Sequence, residues 1–241
     1  MIRLILIFVT SLVFGSLAIA DAAPPPRSER APFTEGRPGS PPAFTQTDWR
    51  PGYPIPPSWR PRYFYYETKY DLHPSPAGPI LQTYADGTAS WIRRSFSHRF
   101  EADQTACINW TWSADRLPTL TASETTKAGD DFAIRLYVFG RSVSGARYGF
   151  NYVWSNQHDP GSIWTSPYSN NKLMALQKGP NPSGQMIPES RDLIADLEAA
   201  TGARPLTIES IAIMTDAEGS SSVAEARISE VLIGPCQIAV A

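Results

Sequence analysis

Gly129-Asp130-Asp131-Phe132-Ala133-Ile134-Arg135-Leu136-Tyr137-Val138-Phe139 is a run in which two adjacent acids open a strand-like alternation. Phe132, Ile134, Leu136 and Val138 supply one apolar face. Arg135 falls on the other face with Ala133, Tyr137 and Phe139. A charge on a half-apolar strand needs a carboxylate partner or a wet cleft. The run therefore reads either as a structural ion pair or as the floor of a site.

Strand-like runs of the same kind recur on both sides of it. They cover Tyr63 to Tyr70, Ile80 to Ala85, Ser90 to Phe100, Cys107 to Ser113, Tyr148 to Trp154, Asn171 to Gln177, Leu206 to Thr215 and Glu225 to Ile233. Turn signals separate them at Asp86-Gly87, Ser144-Gly145, Asp159-Pro160-Gly161 and Glu218-Gly219. Regularly spaced short strands read as an antiparallel sandwich of jelly-roll type, spanning 63–241. One helix is expected over Ser190 to Thr201, with Ser190 able to cap it, Asp192 at its positive end and Gly202 closing it. Leu193, Ile194, Leu197 and Ala200 form its apolar stripe.

The chain before Tyr63 is of another kind. Residues 1–22 have a short positive start, an apolar run from Leu4 to Ala18 and small-x-small sites ending at Ala20 and Ala22. That is the pattern of a secretory signal peptide, so a periplasmic or secreted location is expected, with no membrane span after its removal. Residues 23–62 carry twelve of the 23 prolines and six arginines against three acids, which reads as an extended Pro-rich arm. Trp49, Tyr53 and Trp59 in it either form a binding patch or pin the arm to the domain. Cys107 and Cys236 are the two cysteines, and in an exported chain they suggest one disulfide. It would close a loop of about 130 residues, which the chain-entropy model values at about 4 to 5 kcal/mol at most. The net charge of −2 implies no nucleic acid as partner. The sequence sets no oligomeric state.

Two rows of aromatics are candidates for ligand contact. Trp110 and Trp112 alternate with Asn109 and Thr111, and Tyr152 and Trp154 follow Asn151 and Val153. Such rings either stack on the C–H faces of sugars or fill the core. The acids Asp130, Asp131, Asp192, Asp196 and Asp216 have three readings. They pair with Arg135 and Arg191 or cap turns, they hold a structural Ca²⁺ or a ligand, or two of them serve glycoside hydrolysis. No cofactor other than that Ca²⁺ option is indicated. His73, His98 and His158 lack metal spacing, and no serine-nucleophile, phosphate-loop or dinucleotide motif occurs.

Trp110-Thr111-Trp112, Lys127 to Val138, Asn151 to Ser155, Glu189 to Asp192 with Asp196 and Gly202, and Ile211 to Asp216 together resemble the Domain of Unknown Function 3047 family. The resemblance runs from about Ile108 to Ile233 and implies an exported, mostly β domain of jelly-roll type, without an activity. The chain departs from the family pattern at Asp192, where the family usually has asparagine, and at Ala217-Glu218, where the family has a second acid after Asp216. A metal site built on those acids would be weakened by the second change.

The leading expectation is a non-catalytic module that binds a glycan or another cell-envelope component. Its expected contacts are Trp110, Trp112, Asp130, Asp131, Arg135, Tyr152, Trp154, Arg191 and Asp216. One alternative is a carbohydrate-active enzyme of glycoside-hydrolase type using paired aspartates. Another is a structural or partner-binding envelope protein that uses the arm.

Overall fold

The computed structural model describes Trp49, residues 53–99 and residues 106–234, all within the compact unit Glu35–Ala241. The signal segment, Cys236 and the arm up to residue 52, apart from Trp49, lie outside the described residues.

Among the described residues, thirteen strands and one helix follow in chain order. They are β1 (Arg60–Tyr65), β2 (Lys69–His73), β3 (Ile80–Asp86), β4 (Ala89–Arg99), β5 (Cys107–Arg116), β6 (Arg135–Ser142), β7 (Arg147–Ser155), β8 (Ile163–Thr165), β9 (Lys172–Lys178), β10 (Ile187–Asp192), α1 (Leu193–Thr201), β11 (Pro205–Asp216), β12 (Val223–Ser229) and β13 (Leu232–Gly234). One sheet has seven strands in the order β1-β4-β11-β6-β7-β9-β8, and the other runs β10-β5-β12-β3-β2 with β13 also paired to β5. This is the expected two-sheet, jelly-roll-like sandwich. All pairs are antiparallel except β7 with β9, where β9 enters between β7 and β8.

The inner faces of both sheets meet in one large apolar cluster. Ile92, Leu136, Val138, Phe150, Ile211 and Ile213 come from the seven-stranded sheet, and Leu81, Ile108, Trp112 and Ile228 from the other. Each follows the period-two rule along its strand. α1 contributes Leu193, Ile194, Leu197 and Ala200 and touches strands of both sheets, so it closes the gap between them.

The helix start differs from expectation. Asp192, not Ser190, is the N-cap: its Oδ1 accepts from Ile194 N at 3.1 Å and Ala195 N at 3.0 Å. Ser190 is held in β10, a strand whose half-exposed residues hide its pairing in the sequence. Gly202 closes the helix at φ 73, in the left-handed region a side chain avoids. β1 crosses the expected arm–domain boundary at 62/63, and Trp49 and Trp59 are buried edge to face against each other, with centroids 6.2 Å apart. These two therefore pin the described part of the arm, while Tyr53 is exposed.

Candidate functional site

β6 begins at Arg135, later than the alternation implied, and Phe132 lies before it in a loop. Released from the strand, Phe132 turns to the Arg135 side and packs with Val153, Leu173 and Ala175. The Arg135 guanidinium sits over its ring, 4.5 Å from the centroid.

Arg135 is 3% exposed and carboxyls surround it. Its Nε donates to Asp216 Oδ1 at 3.0 Å, and its Nη2 donates to Asp216 Oδ2 and to the Asp130 carbonyl. Its Nη1 is 3.2 Å from Asp130 Oδ2. Asp216, the last residue of β11, also accepts from Phe132 N at 3.1 Å. Burial alone would lower the Arg135 pKa, but the Asp130 and Asp216 charges outweigh it and hold the guanidinium protonated well above its ordinary value. Burial works to raise Asp216 and Arg135 works against it. With three N–H donors on its two oxygens, the carboxylate is the form this geometry holds. Of the two readings of residues 129–139, the ion pair is the one in place. Asp130 and Asp216 are turned inward and locked on Arg135, which takes them out of acid–base work.

Asp131 faces the turn after β11, accepting from Gly219 N at 3.2 Å and Ser220 N at 2.6 Å. Glu218 in that turn joins the group, so the departure at Ala217-Glu218 still leaves an acid beside Asp216. Asp131, Asp216 and Glu218 each offer an oxygen within 4.8 Å of the others. Burial, then the Asp131 charge, push Glu218 from the usual 4.5 up to about 7, while Arg135 pulls it down. The Ca²⁺ considered from the sequence would find three acids here. Asp216 has both oxygens on Arg135 already, and the cluster alone assigns no metal.

Arg191 belongs elsewhere. Its Nε and Nη2 donate to Asp196 Oδ2 at 2.9 Å and Oδ1 at 2.7 Å, and Tyr152 Oη donates to Asp196 Oδ2 at 2.9 Å. This network ties β10, α1 and β7 together. No contact recorded among the described residues joins it to Arg135.

The two aromatic rows also leave the proposed site. Trp110 and Trp112 of β5 and Tyr152 and Trp154 of β7 lie in the main core and face each other across the sheets. The Trp110–Tyr152 centroids are 5.2 Å apart, and Trp112–Trp154 are 5.9 Å apart. Trp112 Nε1 donates to Glu189 Oε1 at 3.1 Å and Trp154 Nε1 to the Gly179 carbonyl at 2.9 Å. Their faces are spent on one another, so the expectation that they stack on a ligand is corrected: the sandwich needs them to fill the space between its sheets.

A different aromatic row lies on the outer face of the seven-stranded sheet. Trp91 of β4, Tyr137 and Phe139 of β6, and Ala212 and Met214 of β11 form an apolar cluster separate from the core. Phe64 of β1, half exposed, meets Trp91 edge to face at 4.8 Å. Tyr137 and Phe139 stack at 5.5 Å. Arg62 lies over Phe64 and Trp91, at 5.1 and 5.6 Å, and Arg93 lies over Phe139 at 5.0 Å. The alternation Trp91-Ile92-Arg93 in β4 carried this signal in the sequence, with only Ile92 facing inward.

Sheet order and buried arginine–carboxylate cluster define a jelly-roll β-sandwich whose polar centre lies beside, and not within, its apolar interior. The chain belongs to the family described as Protein of unknown function (DUF3047), whose model matches residues 57–232 and so reaches further toward the N-terminus than the motifs from Ile108 onward. No curated protein matches it. Similar solved structures include the family 11 carbohydrate-binding module of the cellulosomal cellulase Lic26A-Cel5E of Clostridium thermocellum, at 9% identity over 76% of this chain and 91% of that one, with a TM-score of 0.39. The family 11 xylanase from Neocallimastix patriciarum has 10% identity over 73% of this chain and 91% of that one, with a TM-score of 0.36. A cellulase derived from Cel12A of Rhodothermus marinus has 10% identity over 73% and 95%, with a TM-score of 0.38.

Proposed function

We propose that the chain is an exported, non-catalytic module that binds a glycan along the outer face of its seven-stranded sheet. The observation that carries this reading is the half-exposed Phe64 and the partly exposed Phe139, each with a guanidinium laid on it, at the rim of a buried outer-face cluster that holds Trp91 and Tyr137. Aromatic faces stack on pyranose C–H groups, and nearby arginines bond hydroxyls. Locking of Asp130 and Asp216 on Arg135 takes these two out of the pair of free carboxyls a glycosidase needs. Export rests on the signal pattern of residues 1–22.

Calorimetry of the signal-free chain against a panel of envelope polysaccharides tests the proposal. Phe64→Ala is expected to weaken binding about tenfold, the scale of one lost stacking contact, with the circular dichroism spectrum unchanged. A panel without binding, or a Phe64→Ala protein that binds like the parent, overturns it.

A further inference from the structure

The binding face is not neutral, and its charge names a ligand class. At the β1–β4 side Arg60 lies opposite Arg93 and Arg62 opposite Trp91 in the strand register. Arg60 turns to the Pro57 and Trp59 carbonyls, at 2.6 and 2.8 Å. Arg62 and Arg93 have no carboxylate at ion-pair distance among the described residues. Arg93 donates through Nε to Ser210 Oγ at 2.9 Å and spreads over the Phe139 ring. Glu209, whose charge acts on Arg93, is paired with Arg141 at 2.9 Å. Arg93 feels the consequence: burial, then the charge of Arg62, lower its pKa, and Glu209 opposes them. Two cations held on aromatic rings, without a carboxylate partner among the described residues, form a place where an incoming anion gains from both.

Asn151 is a second, independent observation on the same face. It is 1% exposed, sits opposite Tyr137 in the register, and its Oδ1 has no hydrogen-bond partner. A buried acceptor left unsatisfied costs free energy until a donor reaches it. A sugar hydroxyl is such a donor, and a polyol that also carries a carboxylate satisfies both features together.

Resting on the glycan-binding reading above, we propose that the ligand is an anionic polysaccharide of the uronate type. Its rings lie along Phe64 and Phe139, its carboxylates meet Arg62 and Arg93, and one hydroxyl meets Asn151 Oδ1. The other end of the face adds no competing cation, because Arg135 is neutralised by Asp130 and Asp216.

The test is calorimetry of the signal-free chain with polygalacturonate, alginate and hyaluronan, each beside its carboxyl-reduced neutral counterpart. The expected result is a preference of about tenfold or more for at least one acidic form, weakening between 0.1 and 0.5 M salt as screening increases. Arg62→Gln and Arg93→Gln should each lose most of that preference, and Asn151→Ala should weaken acidic and neutral forms alike. Equal binding of acidic and neutral polymers overturns the charge inference and leaves glycan binding standing. Binding of neither overturns both. Acidic binding that survives the double variant Arg62→Gln/Arg93→Gln overturns this site.

Discussion

Arg135 is held by acids from two elements, and removing one acid leaves a charge where water does not reach. Breaking a buried pair from one side costs about 3 to 5 kcal/mol. Asp216→Ala should therefore lower the urea-unfolding free energy by about that amount, more than a substitution at an exposed pair such as Lys178–Asp159. Glu218 gives a pH signature. Its folded pKa of about 7 lies above the ordinary 4.5, so between those values the folded protein keeps a proton that the unfolded chain has released. Stability is then full at acidic pH and falls as pH rises toward 7. Burial and the Asp131 charge drive this effect and Arg135 limits it. The melting temperature of the parent should drop from pH 5 to pH 8, and Glu218→Gln should flatten that slope. Arg135 was legible in the sequence because a charge interrupted an apolar alternation. Glu218 was not: two residues past a strand end, only the folded turn shows which way it points.

Single elements show why period alone is half an answer. Alternation in β5, β6 and β7 says that a strand has two faces, and not which of them is inside. Trp110, Trp112, Tyr152 and Trp154 were legible as aromatic rows, yet the sandwich turns them toward each other. β4 turns Trp91 the other way with the same spacing. Trp112→Ala should cost about 3 to 5 kcal/mol by emptying a packed site, whereas Phe64→Ala, at a half-exposed ring, should leave the fold intact. Thermal melts of the two variants separate core from outer face. In α1, the cap is the residue whose side chain meets the first free N–H groups. Asp192→Ala should lower stability by about 1 kcal/mol, and Ser190→Ala should not act through the helix. β8 and β10 escaped the reading because one is three residues long and the other carries proline and charges in place of an alternation.

At the scale of the whole molecule the sandwich was legible from turn spacing, while the parallel β7–β9 pair was not. That pair depends on where the chain returns after β8, and no local pattern records the return. Cys107 is buried at the start of β5, where β10 and β13 both pair with it, and β13 leads on toward Cys236. A Cys107–Cys236 bridge remains our proposal. Alkylation of the unfolded, unreduced protein should find no free thiol, and reduction should lower the melting temperature.

β1 is an outermost strand of the large sheet, exposed along its whole length, and it carries Pro61 between two arginines. Proline withholds an N–H and charge repels, so the rim it forms makes a poor template for a neighbouring chain. Cutting the chain after Arg62 would strip most of that guard and bare β4, whose eleven residues run through Trp91, Ile92 and Phe96. The shortened protein would then be prone to stick to copies of itself, edge against edge.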